Sequence, residues 1–224
     1  MSAELSRRAL AIECLVASVS VLALLTLVKH LAFLSLFAEH GFTIAAAFQL
    51  FVPIMLIGRR GITSESLGFV SDDWPRDVAL ALALGLLTII PFAIGHHYWQ
   101  TLMWGRAWSP ALPDDLAISV VNQVLAVALP EELYFRGYLQ SRMEALWPAR
   151  RRLFGAMFGK ALVISCGVFA LAHFVGEYNL ARLGPFFPAL VFGLLRGRTG
   201  RITAAVTYHA FCNVLSQVLA ASYG

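Results

Sequence analysis

Apolar runs broken by short charged stretches repeat along this chain. Runs of roughly 20 residues with few charges predict helices long enough to cross a bilayer. The pattern places such spans at 9–27 (with the apolar run continuing towards 37), 42–57, 78–94, 116–140, 160–181, 185–195 and 202–222. The sixth is short and suits a tilted or re-entrant segment. Between the second and third, the polar stretch 61–76 carries Ser64, Asp72, Asp73 and Pro75 as cap and turn residues. Asp114 and Asp115 cap the fourth. Before them, 96–115 holds Tyr98, Trp99, Trp104, Trp108 and several prolines, the make-up of an interfacial aromatic belt. Stretch 143–159 sets Arg150, Arg151 and Arg152 beside Leu146, Trp147, Leu153, Phe154 and Phe158, which predicts an amphipathic helix on the cytoplasmic surface. The expected fold class is all-α: a polytopic transmembrane helix bundle of about seven spans (six to eight). It forms one membrane-embedded domain over 1–224, with a motif-bearing core at about 116–222.

Composition agrees. Of 224 residues, 59% are hydrophobic and 13% charged, whereas a soluble domain carries roughly 25% charged residues. The net charge of +4 is explained by topology rather than by nucleic-acid binding. With the N-terminus inside, the cytoplasmic set is Arg7, Arg8, Arg59, Arg60, Arg76, Arg142, Arg150, Arg151, Arg152, Lys160, Arg196, Arg198 and Arg201. Only Arg106 and Arg182 fall in outer loops. That asymmetry predicts N-in and C-out, as expected of a multi-pass protein of a prokaryotic cell (inner) membrane. Cys14, Cys166 and Cys212 all sit inside apolar runs, as small core residues rather than a disulfide framework. No clear small-x-small site follows the first run, so it reads as an uncleaved helix.

Against this background the ionisable residues inside spans stand out, because each costs about 2.5–3.5 kcal/mol at bilayer depth. Glu131-Glu132 precede Arg136 in the fourth span; Phe169 and His173 lie in the fifth; His209 and Asn213 lie in the seventh. Glu132 and Arg136 are spaced i,i+4 and face one another on one helix. Glu131 points about 100° away and is the carboxylate free to act. Pro130 removes a helix hydrogen bond beside it. His209 and Asn213, also i,i+4, form a pair of donors suited to a developing oxyanion. His173 on a third helix can orient a water together with Glu131. The set fits attack of an activated water on a peptide carbonyl: Glu131 as general base, His173 as water-orienting partner, His209 and Asn213 as oxyanion donors. There is no His-Glu-x-x-His, no Gly-x-Ser in a span and no Gly-x-Gly-Asp. No cofactor is therefore expected; a zinc ion held by Glu131, His173 and His209 is the alternative.

The motifs Glu131-Glu132-x-x-x-Arg136, Phe169-x-x-x-His173 and His209-x-x-x-Asn213, in this order, resemble the CPBP (Abi) family of CAAX- and bacteriocin-processing intramembrane proteases. Ser66-Leu67-Gly68-Phe69 looks like a weaker family element. The resemblance covers about half the chain, from 116 to the C-terminus. It implies a glutamate-dependent membrane endopeptidase, of a family often described as metalloproteases. Glu131 and His173 would activate water, His209 and Asn213 would form the oxyanion hole, and Glu132 and Arg136 would support them, with Phe169 opening the second motif. Expected partners are a membrane-associated protein or peptide substrate and the lipid bilayer, with no nucleic acid; oligomeric state is left open. Two other readings use the same residues: a non-proteolytic membrane scaffold, and a proton-coupled transporter with the buried Glu and His as a relay.

Overall fold

The computed structural model describes residues 6–59, 61–70 and 72–223. Arg60, counted above on the cytoplasmic side, lies outside them. The long helices are α1 (Arg7–His30), α2 (Ser35–Met55), α3 (Trp74–Trp104), α4 (Leu116–Leu146), α5 (Lys160–Glu177), α6 (Phe186–Thr199) and α7 (Thr203–Ala221). Among the described residues, six segments are long and apolar enough to cross a membrane. They are α1 to α5 and the stretch Leu180–Thr199, a 3₁₀ turn that leads into α6. Helix α7 is long enough but falls outside the six, its composition diluted by Thr203, Thr207, His209, Asn213, Ser216 and Gln217. The chain is an integral, multi-pass, all-α membrane protein.

Hydrogen bonds between connecting segments define two ends of the bundle. At one end, His30 Nε2 lies 3.1 Å from the Tyr178 hydroxyl, His97 Nδ1 lies 2.7 Å from the Tyr223 hydroxyl, and Ser109 donates to the Ser222 carbonyl. At the other, Arg7 donates to the Leu146 carbonyl, Arg196 to the Ser66 carbonyl and Arg198 to the Phe154 carbonyl. Arg201 also clamps Asp77 there, with bonds of 2.6 and 2.8 Å. The Ser66–Phe69 element docks at this second end. Gly68, at φ 67°, accepts a bond from the Ile202 backbone, and a Cβ on it would lie 2.9 Å from Arg201 Cα. The left-handed backbone and the close approach both demand glycine. Likewise a Cβ on Gly137 would lie 2.7 Å from the Leu67 carbonyl oxygen, which lets α4 press against this turn.

Helix α4 packs against α1, α2, α5, α6 and α7. It is not a regular α-helix: 123–128 and 133–140 are π-helical, on either side of Pro130. A proline removes one i→i−4 bond and crowds the carbonyl four residues back. Wider turns flanking it let the helix continue, and such turns are frequent at functional sites. Ser165 of α5 donates to the Phe135 carbonyl at 2.9 Å, supplying a bond from outside the helix.

Two expectations need correction. Stretch 143–159 is not an amphipathic helix. Helix α4 ends at Leu146, and β1 (Arg151–Leu153) then pairs antiparallel with β2 (Ala156–Phe158). Pro148 explains the stop, because the residue before a proline avoids helical backbone, and Trp147 sits at φ −128°, ψ 79°. Phe154 and Gly155, both at positive φ, make the two-residue turn whose twist suits a hairpin. Helix α3 does not end near 94 but runs to Trp104, taking in the first half of the aromatic stretch. Its stop is Gly105 at φ 62°, whose N–H bonds the carbonyls of Gln100 and Thr101. Pro91 lies inside it without ending it.

Candidate active site

The adjacent glutamates occupy different environments. Glu132 is fully buried. Its Oε1 accepts from Arg136 Nη1 at 2.9 Å and lies 2.8 Å from His209 Nδ1. Arg136, also fully buried, donates through Nη2 to the Ala189 carbonyl at 3.3 Å. Its guanidinium lies over the Phe169 ring at 4.3 Å and the Phe192 ring at 5.1 Å. One turn of helix thus places carboxylate and guanidinium together, and two aromatic faces hold the cation.

Glu131, on the next helix face, is 18% exposed and lines a cavity of about 850 Å³. Its Oε2 has no hydrogen-bond partner among the described residues and lies 3.8 Å from His209 Nε2. That gap is too long for a direct hydrogen bond and within reach of an ion pair when the imidazole is protonated. His209 therefore stands between the two carboxylates. Phe192 stacks on its ring at 4.6 Å between centroids, and Phe169 meets it edge-on at 5.9 Å. These contacts hold the imidazole plane.

His173 lines the same cavity. Its Nδ1 lies 2.9 Å from the Phe169 carbonyl, one turn back on α5. The bond fits an Nδ1–H donor, which leaves Nε2 as an acceptor. Asn213, also on the cavity wall, donates one Nδ2 hydrogen to Gln123 Oε1 at 2.8 Å and keeps a second. The cavity is lined by Glu131, Phe169, His173, His209 and Asn213; Glu132 and Arg136 lie behind it.

Three features were not anticipated from sequence. Gln123 orients Asn213, and the only signal for it was the amide pair Asn122-Gln123 in an apolar run about two turns before Glu131. Phe192 had no signal, being one apolar residue of many. Cys212, read as packing, lines the cavity. Gly193 and Gly197 allow close helix contacts: a Cβ on Gly193 would meet Gln140 and Leu162 at 3.0 Å, and one on Gly197 the Met157 carbonyl at 3.0 Å. Lys29 lies over the Tyr178 ring at 4.2 Å. Among the described residues, no three His, Cys, Asp or Glu side chains are arranged to hold a metal ion.

Residues 113–215 match the family model described as type II CAAX prenyl endopeptidase Rce1-like. Comparisons with curated proteins and with solved structures returned no match. The matched stretch begins beside Asp114, carries all three motifs and ends just beyond Asn213, so the peptidase family is recognised on the helices that build the cavity. Over this motif-bearing stretch the chain is similar to the Rce1-like type II CAAX prenyl endopeptidases, the family its paired glutamates, histidines and asparagine resemble.

Proposed function

We propose that this protein is an intramembrane endopeptidase that hydrolyses membrane-associated protein or peptide substrates with a water activated by Glu131. The observation that carries the reading is the unequal fate of the two glutamates. Arg136 and His209 bond Glu132, which is fully buried, whereas Glu131 is partly exposed and lines the cavity without a side-chain bond of that kind at Oε2.

A water held between the Glu131 carboxylate and His173 Nε2 gives one hydrogen bond to each and aims a lone pair at the substrate carbonyl. Glu131 takes the proton as the oxygen attacks, and the carbonyl electrons move onto its oxygen. Asn213, through its second Nδ2 hydrogen, and His209, through Nε2–H, donate to that oxyanion. Preorganised donors of this kind are worth about 2.7–4 kcal/mol each in a water-poor site. The role requires His209 to carry protons on both nitrogens. In that form Glu131, Glu132, Arg136 and His209 sum to zero charge, which suits a site at bilayer depth. Collapse of the tetrahedral intermediate passes the Glu131 proton to the leaving amine and regenerates the carboxylate.

The test is a comparison of peptide termini in membranes of cells expressing the wild-type chain or Glu131→Gln. Termini present with the wild type and absent with the variant, at equal protein abundance, are expected. Identical termini in both refute proteolysis, and movement of protons or solute that Glu131→Gln abolishes would establish the relay instead.

A further inference from the structure

The cavity has a closed and an open end, and the two ends of the bundle differ in charge. Its floor is buried: Gln49, Phe135, Phe169, Phe192 and His209. Its exposed lining lies elsewhere, at Phe42 near the start of α2, Phe92 in the second half of α3, Glu177 at the last residue of α5, and Gly184 in the turn before α6. Those positions belong to the end where His30 meets Tyr178. Arg182 and Glu177, paired at 3.0 Å, stand on the rim.

The arginines collect at the other end. Arg7, Arg196, Arg198 and Arg201 make the contacts that define it, and the hairpin between α4 and α5 adds Arg151 and Arg152. Lys and Arg near span ends mark the cytoplasmic side. The mouth of the cavity is thus on the side that carries fewer of the positive charges.

The wall also opens sideways. Helix α3 packs chiefly on α7, whereas α2 packs on α1 and α4. Phe42 and Phe92, on the two helices flanking this gap, are both exposed. An apolar edge at bilayer depth continues into a rim carrying one cation and one anion.

Resting on the peptidase reading, we infer that the substrate is a polypeptide presented from the non-cytoplasmic side, with a membrane-embedded apolar flank lying between α2 and α3 and a scissile stretch descending from the outer surface to Glu131. Such a substrate is a translocated protein with an apolar segment lying in the bilayer. The geometry requires an extended segment, since an intact helix about 10 Å wide would leave the scissile carbonyl shielded by its own backbone bonds.

The experiment separates side from activity. Leu180→Cys lies at the mouth end, 75% exposed, and Phe154→Cys lies at the hairpin tip, 80% exposed. Ser216→Cys lines the cavity. Each is expressed in the full chain, with the wild type as background for the native cysteines, and intact cells of a bacterial host are treated with a membrane-impermeant maleimide. Leu180→Cys and Ser216→Cys are expected to label in intact cells, and Phe154→Cys only after the membrane is permeabilised. The reverse pattern, or labelling of Ser216→Cys from the same side as Phe154→Cys, overturns the inference. If a variant fails to accumulate, trypsin cleavage at the hairpin arginines in intact versus inverted vesicles reads the same face: cleavage in inverted vesicles alone supports the inference, and cleavage in intact ones overturns it. The Glu131-dependent termini supply the second arm. Cleaved bonds that map to translocated segments support the inference, and bonds in cytosolic segments overturn it. Absence of any such termini removes the peptidase reading and leaves the labelling result standing.

Discussion

Replacing Arg136 by methionine tests whether the buried Glu132–Arg136 pair organises the site. The side chain is fully buried, bonded to Glu132 at 2.9 Å and to the Ala189 carbonyl at 3.3 Å, and lies over two aromatic rings. Methionine fills similar volume, so cavity formation is a minor cost. The major cost is a buried Glu132 carboxylate left with His209 as its one bonded partner, and breaking a buried pair from one side costs about 3–5 kcal/mol. For a chain of this size each kcal/mol shifts the melting temperature by about 2–4 °C. A fall of about 6–20 °C is therefore expected in thermal unfolding followed by tryptophan fluorescence of the purified protein. The double variant Glu132→Gln/Arg136→Met removes both charges and should recover about 0.5–3 kcal/mol relative to the sum of the single variants. Arg136→Lys keeps the charge but not the fork or the flat face, and should lie between wild type and methionine. A melting temperature for Arg136→Met within about 2 °C of wild type, or additivity in the double variant, would refute the pairing argument.

Other expectations follow from single contacts. Asn213→Ala removes an oxyanion donor and should lower kcat by about 10²–10³ with little change in KM, whereas Gln123→Ala only frees the amide to rotate and should lose less; equal losses would make Gln123 a direct participant. Gly137→Ala drives a methyl against the Leu67 carbonyl oxygen and should destabilise by about 1–3 kcal/mol, read as a lower melting temperature. Wild-type melting would mean the turn does not dock as described. Incubation with a strong chelator should leave Glu131-dependent cleavage intact. Loss of cleavage restored by added zinc would instead assign Glu131, His173 and His209 as metal ligands.

How much of this site could be read from the chain depends on whether a contact is local. Glu132 and Arg136 are four residues apart on one helix, so spacing alone predicted their bond, and the same geometry left Glu131 facing elsewhere. The convergence of the fourth, fifth and seventh helices was legible too. Polar groups in three apolar runs need one another or water, and a bundle offers a single interior for them. Spacing could not show what each nitrogen would meet. His209 reaches back to Glu132 across 77 positions of sequence, and Asn213 to Gln123 across 90; both partners depend on how α7 is rotated against α4. That rotation is set by packing, with Phe192 stacked on His209 and the Gly137–Leu67 contact drawing α4 towards the turn at Gly68. The π-helical turns add a further shift, since each wide turn advances every later side chain around the axis relative to a 3.6-residue count. The face assigned to Glu131 by the sequence argument is therefore a property of Pro130 and its flanking turns as much as of spacing. A Pro130→Ala chain that relaxed to regular α-helix would rotate Glu131 with respect to His173 and lose cleavage while keeping the Glu132–Arg136 bond, which lies within a single turn.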